Sequence, residues 1–165
     1  MILTVMDTPG PSVEVLVETV LSGTDRITVW RAAAGSQHRV RGMVSIKFLG
    51  AAAKIDYDVP LGVTVEYRVE CFDSAGERLG FTAAHQITVD SPTSWLHNPL
   101  APAGAVAVEI HGQTPSLNRP TVSEVAYPIG RRVGVVVGAS RRGLESFPME
   151  VWTEGLETAD KIQAL

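Results

Sequence analysis

The chain has 165 residues and a net charge of −4 at neutral pH, and 45% of its residues are hydrophobic while 19% are charged. This composition can build packed cores and is too poor in charge for a disordered tail. The acidic balance argues against a protein that binds the phosphate backbone of nucleic acid, and equally against a polybasic membrane anchor. We therefore expect a soluble chain with one medium domain or two small ones.

Cys71 is the one cysteine of the chain, so no internal disulfide can form. Small secreted domains usually depend on such bridges, and the lone thiol therefore favours assembly in a reducing cytoplasm. No apolar run reaches the ~18 residues of a transmembrane helix. The first residues, MILTVMDTPGP, lack the basic region and the cleavage site of a signal peptide. We expect no membrane partner.

Residues 1–90 repeat a simple unit in which apolar and polar residues alternate and a turn rich in Gly, Asp, Ser or Pro follows. A period of two places successive side chains on opposite faces of a sheet, so each unit predicts a half-buried strand. In the clearest strand, 63–72, the core-facing residues are Val63, Val65, Tyr67, Val69 and Cys71. The other predicted strands are 13–17, 27–30, 44–48, 55–59 and 78–89. Such a series is typical of an antiparallel β-sandwich.

The segment 62–76, GVTVEYRVECFDSAG, resembles the penultimate strand and final hairpin of a fibronectin type III domain. Trp30 stands where that family places its core tryptophan. Val65 stands at the position of the family's corner tyrosine, so the resemblance implies that the tie from a tyrosine hydroxyl to the backbone is missing. The expected fold of 1–90 is therefore an immunoglobulin or fibronectin III-like antiparallel sandwich.

Composition changes at Asp90, and the segment 91–104 holds three prolines with almost no alternation. Proline removes a ladder donor and biases the preceding residue to extended conformations, so we predict a stiff, proline-rich connector. Trp95 and Leu96 lie inside it. An apolar pair in a connector usually docks on a neighbouring surface. That surface belongs either to the same chain or to another subunit, and both alternatives remain open.

Residues 105–165 predict a small β-rich assembly module that ends in a helix. The expected strands are 105–110, 121–127, 133–137 and 147–153. The helix is expected from Glu157 to Leu165, with Thr158 as its N-cap and Ile162 on its apolar face. It ends without a capping residue, so either its last turn frays or the chain natively continues. A module of this size buries only about 60% of its unfolded surface, so we expect it to need support from the sandwich, another subunit or further sequence.

The second half also carries a resemblance of its own. The segments WLHNPL at 95–100, YPIGRRVGVVV at 127–137 and RRG at 141–143 resemble minor tail proteins of long-tailed phages that infect actinobacteria. Gly134 stands where that family has a proline. The resemblance implies a structural subunit of a tail tip or baseplate, located in the virion tail and assembled in the host cytoplasm. Its implied partners are other phage tail proteins and further copies in a homo-oligomeric ring.

Two arginine pairs, Arg131-Arg132 and Arg141-Arg142, flank the apolar run 133–137. Three interpretations remain open. The pairs keep a strand edge from aggregating, or their guanidinium groups reach carboxylates on a neighbouring subunit, or they contact nucleic acid, which the acidic chain disfavours. Together with Trp95 and Leu96, these arginines form the interface that the sequence predicts.

The sequence shows no catalytic or metal-binding motif. The four histidines are His38, His85, His97 and His111, and none has a partner histidine two or four residues away. Cys71 is expected to behave as a small buried hydrophobe. Asp56 and Asp58 are expected on a solvated strand face rather than in a calcium loop. We predict no enzymatic activity, no cofactor and no specific nucleic acid partner.

An alternative function is a carbohydrate or host-surface binding module. Sugar binding usually requires exposed aromatic side chains, and aromatic residues make up only 6% of the chain. Trp95 and Trp152 are the candidates, because Trp30 is assigned to the core.

Overall fold

The computed structural model describes residues 1–110, 123–127, 129–130, 133–138 and 150–165. The chain divides into two compact units. The first comprises Met1–Val108 with Thr153–Leu165, and the second comprises Glu109–Trp152. This division differs from the predicted one, which placed all of 105–165 in one module.

The sandwich is built from nine strands of the first unit. They are β1 (Ile2–Met6), β2 (Ser12–Val17), β3 (Arg26–Ala33), β4 (Ser36–Arg39), β5 (Ile46–Lys47), β6 (Ala52–Asp56), β7 (Thr64–Phe72), β8 (Arg78–Phe81) and β9 (His85–Thr88). One sheet has the order β1-β2-β6, and the larger sheet has the order β4-β3-β7-β8, with β5 paired to β3 and β9 paired to β7. This sharing of strands between two antiparallel sheets is that of an immunoglobulin-like sandwich. The predicted fold class, mainly β with a short C-terminal helix, is confirmed.

The core lies between the inner faces of the two sheets and follows the predicted alternation. Along β7, Val65, Tyr67, Val69 and Cys71 are fully buried. They pack against the buried valines of β2 and against Ile27 and Val29 of β3, and the Cys71 thiol is one of these core groups. Val63 was also expected in the core, but it is 38% exposed. Val63 precedes Thr64, the first residue of β7 that pairs with β9. No cross-strand hydrogen bonds therefore hold the Val63 side chain toward the core.

Three predicted strands differ in extent from the observed ones. The run 44–48 is reduced to β5 because Ser45 has a φ of 51° and turns the chain there. The run 78–89 is divided into β8 and β9. The strand predicted at 55–59 is instead β6, which begins earlier and ends at Asp56.

Trp30 is not in the core, so the assignment made from the fibronectin resemblance is wrong. Its side chain is half-buried and lies on the outer face of the larger sheet, because the inward positions of β3 are Ile27, Val29 and Arg31. A single step along a strand reverses the direction of the side chain. The residue that enters the core after Val29 is therefore Arg31, which is 8% exposed.

The segment 91–104, predicted as a connector with almost no alternation, forms most of a β-hairpin. Strand β10 (Ser94–Asn98) pairs antiparallel with β11 (Ala101–Ile110), and Leu96 lies opposite Val106. Pro99 lies in the turn between the strands, where it interrupts no ladder. Val106 and Val108 are buried, so the hairpin contributes apolar contacts of its own.

The predicted C-terminal helix is confirmed as α1 (Leu156–Gln163). Thr158 is not its N-cap: the helix begins after Gly155, and the Thr158 hydroxyl donates to the carbonyl of Glu154 at 3.1 Å. After the helix, the carbonyl of Leu165 accepts a hydrogen bond of 2.7 Å from Asn98 Nδ2. This bond joins the end of the chain to the β10–β11 hairpin.

The second unit contains a two-stranded sheet, β12 (Ser123–Ala126) with β13 (Val135–Gly138). A further short strand, β14 (Val151–Trp152), pairs with the last two residues of β11. A Cβ atom at Gly134 would lie 2.5 Å from Val125 Cγ1, so a larger residue, including the proline of the resembling family, does not fit there without a shift. Within the predicted strands 121–127 and 147–153, Tyr127, Glu150 and Thr153 are described but are not in a strand, and 121–122 and 147–149 lie outside the described residues.

The hairpin between β3 and β4 turns on two residues, Ala34 and Gly35, with φ of 47° and 77°. Two-residue hairpin turns of this kind favour Asn-Gly, because asparagine tolerates the left-handed region better than alanine does. We expect Ala34→Asn to raise the free energy of unfolding by about 0.5–1 kcal/mol. Urea denaturation followed by tryptophan fluorescence measures the change.

The matched control is Ala84→Asn, an exposed alanine that does not have a positive φ. Its free energy of unfolding should stay within about 0.5 kcal/mol of the wild type. Equal effects at the two positions would contradict the assignment of strain to Ala34.

Candidate functional site

The structure places Trp95 and Leu96 against their own chain. A Cβ atom on Gly10 would lie 3.1 Å from Trp95 Cε3, so the indole ring covers that glycine. The indole Nε1 donates to Ser91 Oγ at 3.1 Å. Leu96 is half-buried within β10. These contacts are intramolecular, and an intersubunit role for either residue stays a prediction. The other four predicted interface residues, Arg131, Arg132, Arg141 and Arg142, lie outside the described part of the chain.

A cleft opens beside Trp95, between the sandwich and the β10–β11 hairpin. Its volume is about 230 Å³, and its walls include Tyr57, Asp58, Trp95 and His97. His97 Nε2 lies 3.5 Å from Asp58 Oδ1, and Arg41 Nε donates to Asp58 Oδ2 at 3.2 Å. We call this the junction cleft. Two aromatic rings beside an oriented carboxylate and an imidazole can take a small polar ring compound.

A second surface lies on the outer face of the larger sheet, and we call it the arginine face. Its members are Trp30, Arg39, Arg68, Glu70, Arg78 and Phe81. The guanidinium carbon of Arg39 is 5.0 Å from the centroid of the Trp30 ring. Those of Arg68 and Arg78 are 4.2 and 4.6 Å from the centroid of Phe81. Cations at such distances are attracted to the ring quadrupole.

Glu70 links the two aromatic groups of the arginine face. Its Oε2 accepts a hydrogen bond of 2.7 Å from Trp30 Nε1, and its Oε1 lies 3.2 Å from Arg78 Nε. Its side chain is only 14% exposed, which strengthens both contacts relative to a fully solvated pair. The orientation of the Trp30 ring is therefore fixed by a hydrogen bond on one side and by Arg39 on the other.

The arginine face belongs to a wider basic surface of this acidic chain. Arg26 lies opposite Lys47 and Phe72, in the same cross-strand row as Arg78, and Glu66 is the remaining outward carboxylate of β7. Counting Asp25, which lies within 4 Å of Arg26 and Lys47, the surface holds five cations against three carboxylates. These eight side chains together carry a charge of +2, whereas the whole chain carries −4.

Inside the sandwich, three polar side chains meet between the sheets. Arg31 Nη1 donates to both oxygens of Asp56 at 2.7 and 2.8 Å, and the Tyr67 hydroxyl donates to Asp56 Oδ2 at 2.9 Å. The backbone amide of Asp58 adds a fourth bond at 3.1 Å. We call Arg31, Asp56 and Tyr67 the buried triad. Its carboxylate comes from β6 in one sheet, and its two partners come from β3 and β7 in the other.

Asp56 was expected on a solvated face, and that interpretation is wrong: the residue is 2% exposed. Its charge is tolerated in the core because the Arg31 guanidinium and two further donors replace water around it. Tyr67, expected in the core, is buried there, and its hydroxyl ties β7 to a side chain rather than to the backbone. Burial, followed by the Asp56 charge, raises the pKa of that hydroxyl far above its usual range.

The sequence did not predict the junction cleft or the arginine face, and both omissions have a common reason. It assigned Trp30 to the core and placed Asp56 on a solvated strand face, whereas Trp30 lies on the outer face of its sheet and Asp56 is buried. One signal was present: Ile27 and Val29 are two residues apart, so they share one face of β3 and Trp30 falls on the opposite face. Cross-strand neighbours such as Arg39 and Arg68 cannot be read from the sequence, because the register is fixed only when strands pair.

Two further observations concern other kinds of site. The described ranges contain no group of three or more His, Cys, Asp or Glu residues arranged to hold a metal ion. Within the same ranges, no helix has the length and apolar character needed to span a membrane.

The buried triad predicts a pH dependence of stability. Because the pKa of Tyr67 is raised in the folded state, the unfolded chain loses this proton first as pH rises. The triad's contribution is therefore complete below a pH of about 10, the usual tyrosine pKa, and is lost above it. Above that pH we expect the wild type to lose up to about 1.4 kcal/mol per pH unit more than Tyr67→Phe, measured by urea denaturation.

Tyr127→Phe is the matched control, because that side chain is 72% exposed. It should keep the steep wild-type dependence. At neutral pH, Tyr67→Phe should cost about 1.5–3 kcal/mol for the lost bond to a charged group. Parallel pH curves for wild type and Tyr67→Phe would show that the hydroxyl is not buried against Asp56.

Comparison with protein-family models, with curated proteins and with solved structures found no match for this chain.

Proposed function

We propose that this protein is a non-enzymatic structural subunit that assembles through its second unit. The observation that carries the proposal is the exposure of large apolar side chains there. Val125 is 51% exposed, Tyr127 72%, Val133 78% and Ile129 fully exposed. Ile110, on the last residue of β11, is 57% exposed. Large apolar side chains facing water favour contact with another protein surface.

The local sheet supports the same conclusion. The β12–β13 pair has two strands, and a two-stranded hairpin is marginally stable in water. Among the described residues of the second unit, both strands of this sheet are edge strands, and edge strands readily pair with another chain. A partner that adds a strand to this sheet would pair an edge strand, and by covering Tyr127 and Val133 it would also bury exposed apolar side chains. The second unit is therefore proposed to gain its stability in an assembly.

The proposed partner is a further copy of the same chain in a closed ring. Most soluble oligomers are built from identical subunits, and a ring needs a head-to-tail interface whose rotation closes. The setting we propose is the tail tip or baseplate of a phage, located in the virion tail and in contact with other tail proteins. That setting rests on the sequence resemblance of residues 90–165 alone.

The self-association is testable in solution. We expect the full chain to form oligomers whose mass rises with concentration, and the double variant Ile129→Ser, Val133→Ser to shift them to monomer. Both side chains are exposed, so the substitutions should leave folding within about 0.5 kcal/mol each. Light scattering after size exclusion measures the mass of each species.

Leu49→Ser with Leu100→Ser is the matched control, because these leucines are 81% and 88% exposed in the first unit. The control should associate like the wild type. A wild-type chain that stays monodisperse and monomeric at high concentration would contradict the proposal. The tail setting has its own test, because image reconstruction of the parent particle should place the chain at the tail tip.

A second candidate function is glycan binding, and the junction cleft favours it. Its aromatic walls, Tyr57 and Trp95, are suited to the apolar face of a sugar ring, and Asp58 and His97 can bond hydroxyl groups. The sequence named Trp95 and Trp152 as the candidates for sugar binding, and of the two Trp95 is a wall of this cleft. Trp152 donates to Glu150 Oε1 at 3.1 Å and lies in the second unit.

If the junction cleft binds glycans, Asp58→Asn should weaken the binding of a glycan that the wild-type protein binds by about tenfold. The reason is that a charge-assisted hydrogen bond is replaced by a neutral one. Asp25→Asn removes the same charge outside the cleft and should bind normally. Trp95→Ala should abolish binding with the sandwich still folded, as judged by circular dichroism. Retention of binding in both cleft variants would exclude the junction cleft.

A further inference from the structure

We propose that the arginine face binds an acidic polysaccharide through its carboxylate groups. This inference deepens the glycan-binding function above, and it assigns the ligand class to a surface distinct from the junction cleft.

The first argument is the pairing of the arginines. Six arginines lie in the described residues, and four of them have a carboxylate within 4 Å: Arg26, Arg31, Arg41 and Arg78. Arg39 and Arg68 have no carboxylate at that distance among the described residues, although acidic residues outnumber basic ones in the chain. Both are on the arginine face. The two guanidinium groups without a counter-charge therefore lie on one surface.

The second argument is their placement. Trp30 of β3 lies directly opposite Arg39 of β4 on one side and opposite Arg68 of β7 on the other. Neighbouring strands are about 4.8 Å apart, so the backbones of the two arginines are separated by about 10 Å across one tryptophan. The row Arg39, Trp30, Arg68 crosses the sheet at right angles to its strands. It forms a site with two cations and a ring between them.

The third argument is that the site is held in place before any ligand binds. The Arg68 guanidinium stacks on Phe81, and its Nε is buried with no hydrogen-bond partner in the described structure. Glu70 fixes Trp30 at 2.7 Å. A guanidinium stacked on a ring keeps its N–H groups directed along its own plane, where they match the two oxygens of a carboxylate. These side chains therefore lose little further conformational entropy when a ligand binds.

The position of the row selects a polysaccharide over a peptide. Capture of a peptide by main-chain bonding needs a free sheet edge. Arg39 lies on the edge strand β4, but Trp30 and Arg68 lie on β3 and β7, which are paired on both sides. At these two residues recognition depends on side chains alone, and polyglutamate in the test represents an acidic peptide. A polymer that carries carboxylates on its rings fits two spaced guanidinium groups and an aromatic surface. Nucleic acid is a competing polyanion, so single-stranded DNA is one of the ligands compared in the test.

The test measures binding of polygalacturonate oligomers to the full chain by isothermal titration calorimetry in roughly 0.15 M salt. We expect binding to polygalacturonate and none to neutral dextran. Arg39→Gln and Arg68→Gln should each weaken binding about tenfold, since each removes a charge-assisted pair. Arg68→Lys should also weaken it, because an ammonium keeps the charge and loses the fork. Arg39 is exposed on an edge strand, so its substitution keeps the test valid if Arg68 variants fold poorly.

Lys161→Gln is the matched control, because it removes one positive charge from an exposed residue that pairs with Glu157, outside both the arginine face and the junction cleft. It should bind polygalacturonate like the wild type. Several results would overturn the inference: equal loss in Lys161→Gln, unchanged binding in both glutamine variants, or tighter binding of polyglutamate or single-stranded DNA. Binding lost in Asp58→Asn and kept in Arg39→Gln would overturn it while leaving glycan binding standing. A chain that binds no glycan of any kind would overturn both.

Discussion

The buried triad of Arg31, Asp56 and Tyr67 is the interaction on which the rest of the first unit depends. It joins β6 of one sheet to β3 and β7 of the other with bonds of 2.7 to 2.9 Å. A shift of one residue in any of these strands would leave a charge in the core without its partner, at a cost of about 3–5 kcal/mol. The triad therefore determines which residues of β3, β6 and β7 face the core.

The inward direction of the triad residues also determines which neighbouring side chains lie on the surface. With Arg31 directed inward, its neighbour Trp30 is directed outward and meets Arg39 and Glu70. With Asp56 directed inward, Tyr57 lies on the opposite side of the chain and becomes a wall of the junction cleft. Both candidate binding surfaces thus follow from one polar contact in an otherwise apolar core. An apolar pair at these positions would also stabilise the sandwich. It would determine less strictly than the triad which residues of each strand face the core, because apolar contacts tolerate small shifts.

The described residues of the two units differ in whether they form an apolar core. In the first unit the valines of β2 and β7 are fully buried in such a core, although Leu49 and Leu100 are exposed on its surface. In the described part of the second unit, residues such as Tyr127 and Val133 face water. This contrast is the physical basis for proposing that the first unit is a self-sufficient domain that displays binding surfaces, while the second is completed by a partner.

The sequence by itself determined the elements whose signal is local. Alternation over 64–72 predicted β7 and its inward residues, and the short apolar spacing near the end predicted α1, because the period of a side-chain pattern is a property of the backbone alone. Only the tertiary structure decided the direction of Trp30, the burial of Asp56 and the hairpin formed by 94–98 with β11. Each of these depends on a partner distant in sequence: Glu70 for Trp30, Arg31 for Asp56, Val106 for Leu96. A buried charge or an outward tryptophan is stable only when that partner is in place, and no local pattern encodes its position.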